Sequence, residues 1–285
     1  MTNRKFIKMH GLGNDFVVID ARFEPFSVDS VKARALANRN TGIGCDQLII
    51  MEPTKDENAI IFMKIINSDG TEVSACGNAT RCIARLILEE FGLKEVTLQT
   101  KSGLIKAHPT YANSSNYTVD MGPVNYDWQK VPLAYECDTN HLPLSYGKLR
   151  DPIAVNVGNP HIVFFVEDLD AVKISHVGPI LEHNELFPER TNVGFAKVID
   201  KNNLILRVWE RGAGLTQACG TGACAAVVNA HRRNLTDRKA TVKLDGGNLD
   251  IEWLTNDHVM MTGPTEISYR GSFEEQQFEF DQNNE

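Results

Sequence analysis

"SACGNATRCI", residues 74 to 83, and "QACGTGACAA", residues 217 to 226, each set a cysteine before a glycine and then run into a helix-forming segment. The match extends on both sides. Asn14 in "HGLGNDFVVID" corresponds to Asn159 in "VNVGNPHIVFFVED", and Gln47 in "GCDQLIIME" to Asn192 in "RTNVGFAKVID". Asn67 in "MKIINSDG" corresponds to Glu210 in "LRVWERGAG", Cys76 to Cys219, and "VDMGP" at 119–123 to "MMTGP" at 260–264. All of these separations lie between 141 and 145 residues, so the chain is an internal duplication.

Each copy follows one plan. Runs such as "FVVID", "QLIIME", "AIIFMKIIN", "HIVFFVE" and "LILRVWE" are β-branched and aromatic, which favours strands. After each cysteine the spacing turns helical: Ile83, Leu86, Ile87 and Phe91 in the first copy, with Gly92 as the stop, and Cys224, Val227, Val228 and His231 in the second. The expected fold is mixed α/β, with two pseudo-symmetric domains, each a curled sheet or barrel around a central helix. We place the first at residues 1–120, joined by the C-terminal segment 265–285, and the second at 121–264. The tail "EEQQFEFDQNNE" has a strand-like phenylalanine pattern and is expected to fray beyond it.

Composition narrows the function. The 285 residues carry a net charge of −8, and no Lys/Arg stripe could neutralise a phosphate backbone, which argues against nucleic acid as a partner. The basic run "HRRN" at 231–234 reads as the end of a helix, where cations favour the negative pole. No apolar run reaches the roughly 18 residues of a membrane span, and the N-terminus has no signal-peptide core, so a cytoplasmic protein is expected.

Six cysteines in such a chain argue against a disulfide scaffold and need separate explanations. A helix N-terminus offers unpaired N–H groups and partial positive charge, which lowers a thiol's pKa and also binds carboxylates. "CGN" and "CGTG" thus each combine an acid/base group with an anion cradle. If the halves face each other across a cleft, one thiolate removes an α-proton while the opposite thiol supplies one to the other face, which inverts a stereocentre without a cofactor.

Other readings are weighed against this one. A buried cysteine is commonly an inert small hydrophobe, and Cys45, Cys82, Cys137 and Cys224 fit that description. Duplication alone would also preserve a structural cysteine. Zinc is disfavoured because the Cys76/Cys82 and Cys219/Cys224 spacings exceed those of zinc pairs. A redox switch between Cys76 and Cys219 is compatible with catalysis. "GLGNDF" lacks the third glycine of a dinucleotide motif, and no Walker-type sequence occurs.

"NSDGTEVSACGNATRC", "ERGAGLTQACGTGACA", "KMHGLGNDFVVID" and "VGNPH" together resemble the diaminopimelate epimerase family, from Lys8 to at least Pro264. The resemblance implies an isomerase that interconverts LL- and meso-2,6-diaminopimelate without a cofactor or metal, in lysine and peptidoglycan precursor biosynthesis. It implies Cys76 as proton donor and Cys219 as proton acceptor, roles that exchange with reaction direction. It assigns Gly77, Asn78, Gly220 and Thr221 to the reacting carboxylate, and Asn14, Gln47, Asn67, Asn159, Asn192, Glu210 and Arg211 to the rest of the substrate. His161 and Glu210 would tune the cysteines, and Tyr269 would lie at a homodimer interface. One departure is Ala79, where the family commonly has glycine; its methyl is expected to leave activity intact.

The residue chemistry suits that substrate, which has an amino and a carboxylate group at each end: Arg211 offers a cation, the asparagines neutral amides, and Glu210 a carboxylate. Two rivals stay open on sequence. A proline or hydroxyproline racemase relative is opposed by Asn67, Asn192 and Arg211. A non-catalytic amino-acid-binding protein would keep the cysteines as structural or redox groups.

Overall fold

The computed structural model describes residues 3–111 and 114–278. It divides into two compact units, Met1–Val119 with Pro264–Glu285, and Asp120–Gly263.

In chain order the first unit contains β1 (Asn3–Gly11), β2 (Asn14–Asp20), α1 (Ser30–Ala37), β3 (Gln47–Glu52), β4 (Phe62–Asn67), β5 (Glu72–Val73), α2 (Gly77–Phe91), β6 (Val96–Thr100), β7 (Gly103–Pro109) and the first half of β8 (Asn116–Pro123), whose second half belongs to the other unit. The second unit then has a small hairpin, β9 (Ser145–Tyr146) and β10 (Leu149–Arg150). It continues with β11 (Ile153–Asn156), β12 (Pro160–Phe165), α3 (Ile174–Glu182), β13 (Asn192–Asp200), β14 (Asn203–Glu210) and β15 (Gly214–Leu215). The helix α4 (Gly220–Arg232) and strands β16 (Lys239–Leu244), β17 (Gly247–Trp253) and β18 (His258–Pro264) complete it. The chain then adds β19 (Glu266–Glu274), antiparallel to β1 in the first unit.

The duplication is visible in the pairing. β1–β2 and β11–β12 are antiparallel; β2–β3 and β12–β13 are parallel, with α1 and α3 in the crossovers. Phe16 pairs with Gln47 in one crossover and His161 with Asn192 in the other. β3–β4 and β13–β14 then run antiparallel, and β4–β6 and β14–β16 parallel. The strand runs of the sequence therefore pair in equivalent order in both units, and in each one helix enters after a two-residue strand.

Each cysteine-led helix is a core element. α2 packs on β1, β6 and β7, and α4 on β11 to β14, β16 and β17. In α2 every residue from Gly77 to Leu88 is buried except Arg85, so more than one stripe is covered. Burying each large aliphatic side chain there contributes about 1.5–3 kcal/mol. α4 achieves the same enclosure with "GACAAVVNA", whose small side chains let strands approach on all sides. Buried Asn229 remains satisfied because its amide donates to Ile153 O at 3.2 Å and accepts from Arg232 at 3.4 Å. A second core lies against the outer helix of each unit, around Phe26, Leu36 and Ile50 in the first and around Phe164, Leu181 and Phe195 in the second.

The helix stop at Gly92 is observed, with φ of 64° and its N–H bonded to Leu88 O. Phe91 departs from the inward stripe. It is exposed, with the Arg22 guanidinium 5.8 Å from its ring centre, because it falls in the last turn, beyond the enclosing strands. The tail also differs. β19 ends at Glu274 and Glu275–Phe278 form a 3₁₀ turn, where Phe278 packs edge-on against Phe273 rather than extending a strand. The rest of the expected frayed tail lies outside the described residues. Among the described residues no helix is long and apolar enough to cross a membrane.

Candidate functional site

In the first unit the candidate residues gather at the start of α2. Cys76 is the N-cap, in extended conformation at φ −149°, ψ 109°, and half-buried. Its thiol donates to Asn14 Oδ1 at 3.7 Å, and the same oxygen accepts from Asn78 Nδ2 at 3.2 Å. Asn78 Oδ1 in turn accepts from buried Arg81 at 3.0 Å. Gln47 and Asn67 are partners across β3 and β4, and Gln47 Nε2 donates to Asn67 Oδ1 at 2.9 Å. The other end of that amide, Gln47 Oε1, is buried with no hydrogen-bond partner among the described residues. A buried acceptor in that state costs about 1–3 kcal/mol, which a donor such as an ammonium group would recover.

The second unit builds the start of α4 differently. Cys219 is again an extended N-cap, but its sulfur accepts from Gly222 N at 3.4 Å and lies 3.6 Å from the Thr221 hydroxyl. Thr221 Oγ1 and Asn159 Oδ1 each lie 3.0 Å from His161 Nε2. Glu210 closes β14, hydrogen-bonds to the Cys219 thiol and accepts from Thr216. Asn192 is buried with both ends of its amide engaged, donating to Pro160 O at 2.8 Å and accepting from Arg211 N at 2.9 Å. Arg211 is exposed and donates to Glu189 O. Gly77, Asn78 and Gly220 are buried in the first turns of their helices, and Thr221 is half-buried.

Tyr269 lies on β19 opposite Lys8, exposed, edge-on to Phe6 at 5.9 Å.

Electrostatics corrects one expectation. A helix start was expected to lower the thiol pKa, yet Cys219 is raised well above the ordinary value. Burial is the main cause and the Glu210 carboxylate adds to it; together they outweigh the Thr221 hydroxyl and the Gly222 N–H. His161 is fully buried and pushed down to about 3 by desolvation, reinforced by Arg211, so it is neutral near pH 7. Cys45 and Cys82 are pushed up to about 12 by burial, which suits inert packing groups. None of the six cysteines forms a disulfide, and among the described residues no group of three or more His, Cys, Asp or Glu side chains is arranged to hold a metal.

Three residues near these sites were not singled out from the sequence. Asp46 precedes Gln47, and its Oδ2 accepts from Asn14 Nδ2 at 3.1 Å; its place in "GCDQ" was the available signal. Thr216 lies in "LTQAC", just before the second cysteine. Glu182 had no sequence signal, because its role depends on how α3 docks. Its buried carboxylate accepts from Trp209 Nε1 at 2.8 Å and Gly212 N at 3.0 Å, bracketing Glu210 and Arg211.

Residues 6–126 and 153–268 match the family described as diaminopimelate epimerase. The chain is 50% identical over 272 residues to the diaminopimelate epimerase of Rhodospirillum centenum, covering 95% of this chain and 93% of that one. It is 52% identical over 270 residues to that of Erythrobacter litoralis, covering 94% and 97%. Among solved structures, a hydroxyproline epimerase from Agrobacterium vitis is similar with a TM-score of 0.68 at 13% identity, covering 95% of this chain and 92% of its own. A phenazine biosynthesis protein of the PhzF family from Enterococcus faecalis gives 0.70 at 13%, covering 96% and 100%. At such identities the structural likeness speaks to fold alone.

Proposed function

The chain belongs to the diaminopimelate epimerase family, and on that premise we propose that Cys76 and Cys219 are the acid/base pair with which it inverts one α-carbon of diaminopimelate. The activity is the interconversion of the LL and meso forms, an isomerase reaction that serves lysine and peptidoglycan precursor synthesis. The observation that carries the assignment of residues is the N-cap position of both cysteines, each opening the buried helix of its own repeat.

The chemistry follows from that position. Inversion needs one group to take the α-proton and another to deliver a proton to the opposite face, so two separately mounted thiols suit it and one would not. The first-turn N–H groups at Gly77, Asn78, Gly220 and Thr221 would hold the α-carboxylate, whose negative charge grows as the carbanion forms. Cys219 rests as a thiol, and the bonded Glu210 carboxylate is the group placed to take its proton before it acts as base. Neutral His161 cannot stabilise a thiolate by charge; it orients Thr221. Gln47 Oε1 and Asn67 suit an ammonium group of the substrate, Asn14 meets the substrate beside Cys76, and Asn159, Asn192 and Arg211 complete the remaining contacts. No cofactor or metal enters this scheme.

A cytoplasmic location and a homodimer complete the proposal, with Tyr269 in the dimer contact because it is an exposed aromatic already braced by Phe6. The decisive experiment replaces Cys76 and Cys219 singly by alanine. Each variant loses inversion of diaminopimelate and solvent deuterium no longer enters the product; wild-type turnover in either would refute the two-cysteine assignment.

A further inference from the structure

Asn14 gives the Cys76 thiol a hydrogen-bond acceptor, and which end of its amide does so is not settled by shape. Carbonyl and amino ends are nearly equal in size, so neighbouring groups decide between them. The end away from the thiol, Nδ2, faces Asp46 Oδ2 at 3.1 Å. An ionised carboxylate can only accept, so the amino end must point toward Asp46 and the carbonyl end toward Cys76 and Asn78.

Asp46 is itself held from several sides. Its Oδ2 accepts from Asp15 N at 3.1 Å, while Asp15 Oδ1 accepts from Asp46 N at 3.0 Å, a reciprocal clasp between the residues that follow Asn14 and precede Gln47. Arg39 spans both carboxylates, at 2.7 Å from Asp46 Oδ1 and 2.6 Å from Asp15 Oδ1. Lys8, buried at 9% side-chain exposure, lies 2.5 Å from Asp15 Oδ2. Burial would raise the Asp15 pKa, but Arg39 and Lys8 outweigh it and hold Asp15 well below the usual carboxylate range. Two cations and two carboxylates therefore stand behind one amide.

We propose that Asp46 is a positioning residue that fixes the sense of Asn14, so that a carbonyl oxygen rather than an amino group meets the Cys76 thiol. This rests on the reading of Cys76 as an acid/base group. A thiol that donates to a carbonyl keeps its proton; one facing an amino group would lose it more readily. The clasp thereby aims an acceptor, rather than a donor, at the Cys76 sulfur.

The test is a double-variant cycle on Asp46 and Asn14 with two readouts. Asp46→Ala should lower kcat/KM for diaminopimelate roughly tenfold, as a misplaced contact at the reacting centre does. In an Asn14→Ala background the same change should matter less than about twofold, because the residue it acts through is gone. Asp46→Asn, which keeps one carbonyl oxygen for Asn14 Nδ2, should recover to within about threefold of wild type and guards against a folding artefact. Alkylation of Cys76 by iodoacetamide, followed by peptide mass in a Cys137→Ser background, should quicken about threefold in Asp46→Ala and no further when Asn14→Ala is added. Effects that multiply in the double variant, or Asp46→Asn as damaging as Asp46→Ala, would overturn the proposal. The alkylation cycle needs no turnover, so it tests Asp46 even where the role of Cys76 in catalysis fails.

Discussion

His161 Nε2 lies 3.0 Å from the Thr221 hydroxyl, and that contact ties a fully buried imidazole to the start of the helix that carries Cys219. In the other repeat the equivalent place, paired with Gln47 as His161 is with Asn192, holds buried Phe16. The two repeats thus share a frame but differ in chemistry. The first surrounds its cysteine with amides, while the second supplies a histidine and a carboxylate.

The buried imidazole gives the protein a pH-dependent stability. Its pKa falls from 6.5 to about 3 on folding, so between those values the unfolded chain binds a proton that the folded chain does not. This contribution is present above pH 6.5 and is lost as the pH falls toward 3. His161→Phe, copying the other repeat, should fold and show a shallower loss of stability across that window. Urea unfolding at several pH values checks this, and an unchanged slope would show that His161 does not carry the effect.

Gly222 sets two opposing effects against each other. Replacing a helical glycine with alanine gains up to about 1 kcal/mol in propensity. A Cβ at Gly222, however, would stand 2.8 Å from Val208 Cγ2 and 3.2 Å from Cys219 Sγ, in a site with no space to yield. Overpacking of that kind costs about 1–3 kcal/mol, so Gly222→Ala should be destabilised and should turn over more slowly because the sulfur is displaced. In the first repeat the position three residues after the cysteine is Ala79, fully buried, so that helix start already accommodates the methyl. A Gly222→Ala protein with a higher melting temperature and unchanged kcat would reverse the ranking.

Much of the fold was legible because the chain repeats itself. Asn14, Gln47, Asn67 and Cys76 recur at fixed separations as Asn159, Asn192, Glu210 and Cys219, and the strand pairings repeat in the same order. The β-branched runs and the Gly92 stop likewise report local preferences that a sequence states directly. Three things escaped. Phe91 was assigned inward because helical spacing does not say where the enclosing strands end. The raised Cys219 pKa escaped because burial outweighs the helix-start effect, and burial is a tertiary quantity. Glu182 escaped because it meets Trp209 and Gly212 only once α3 has docked.

Glu182 should affect substrate recognition more than chemistry. Its two oxygens hold the indole before Glu210 and the N–H after Arg211, so their loss loosens the turn that presents both side chains. Trp209 is half-buried and Gly212 exposed, so solvent can satisfy part of what is lost, and Glu182→Ala should lose about 1–3 kcal/mol in all. Glu182→Gln keeps one acceptor and should fold well enough for kinetics. Its KM for diaminopimelate should rise severalfold with a smaller change in kcat, since Arg211 is the group displaced. A fall confined to kcat would place Glu182 in the chemical step instead.

Glu210 makes the strongest prediction about the second thiol. Burial and this carboxylate together keep Cys219 protonated, so its folded pKa lies above the unfolded value of 9.0. The associated stability is complete below pH 9.0 and is lost as the pH rises past it, because only the unfolded thiol then ionises. Glu210→Gln removes the negative charge but keeps the side-chain shape. The Cys219 pKa should fall and the loss of stability at alkaline pH should become shallower, while inversion should slow sharply because the group proposed to accept the thiol proton is gone. Ultraviolet absorbance of the thiolate during a pH titration, compared in Glu210→Gln and Glu210→Gln/Cys219→Ala, isolates this one sulfur. A Cys219 that ionises at the same pH with and without Glu210 would leave burial as the whole cause, and another group would then have to take the thiol proton.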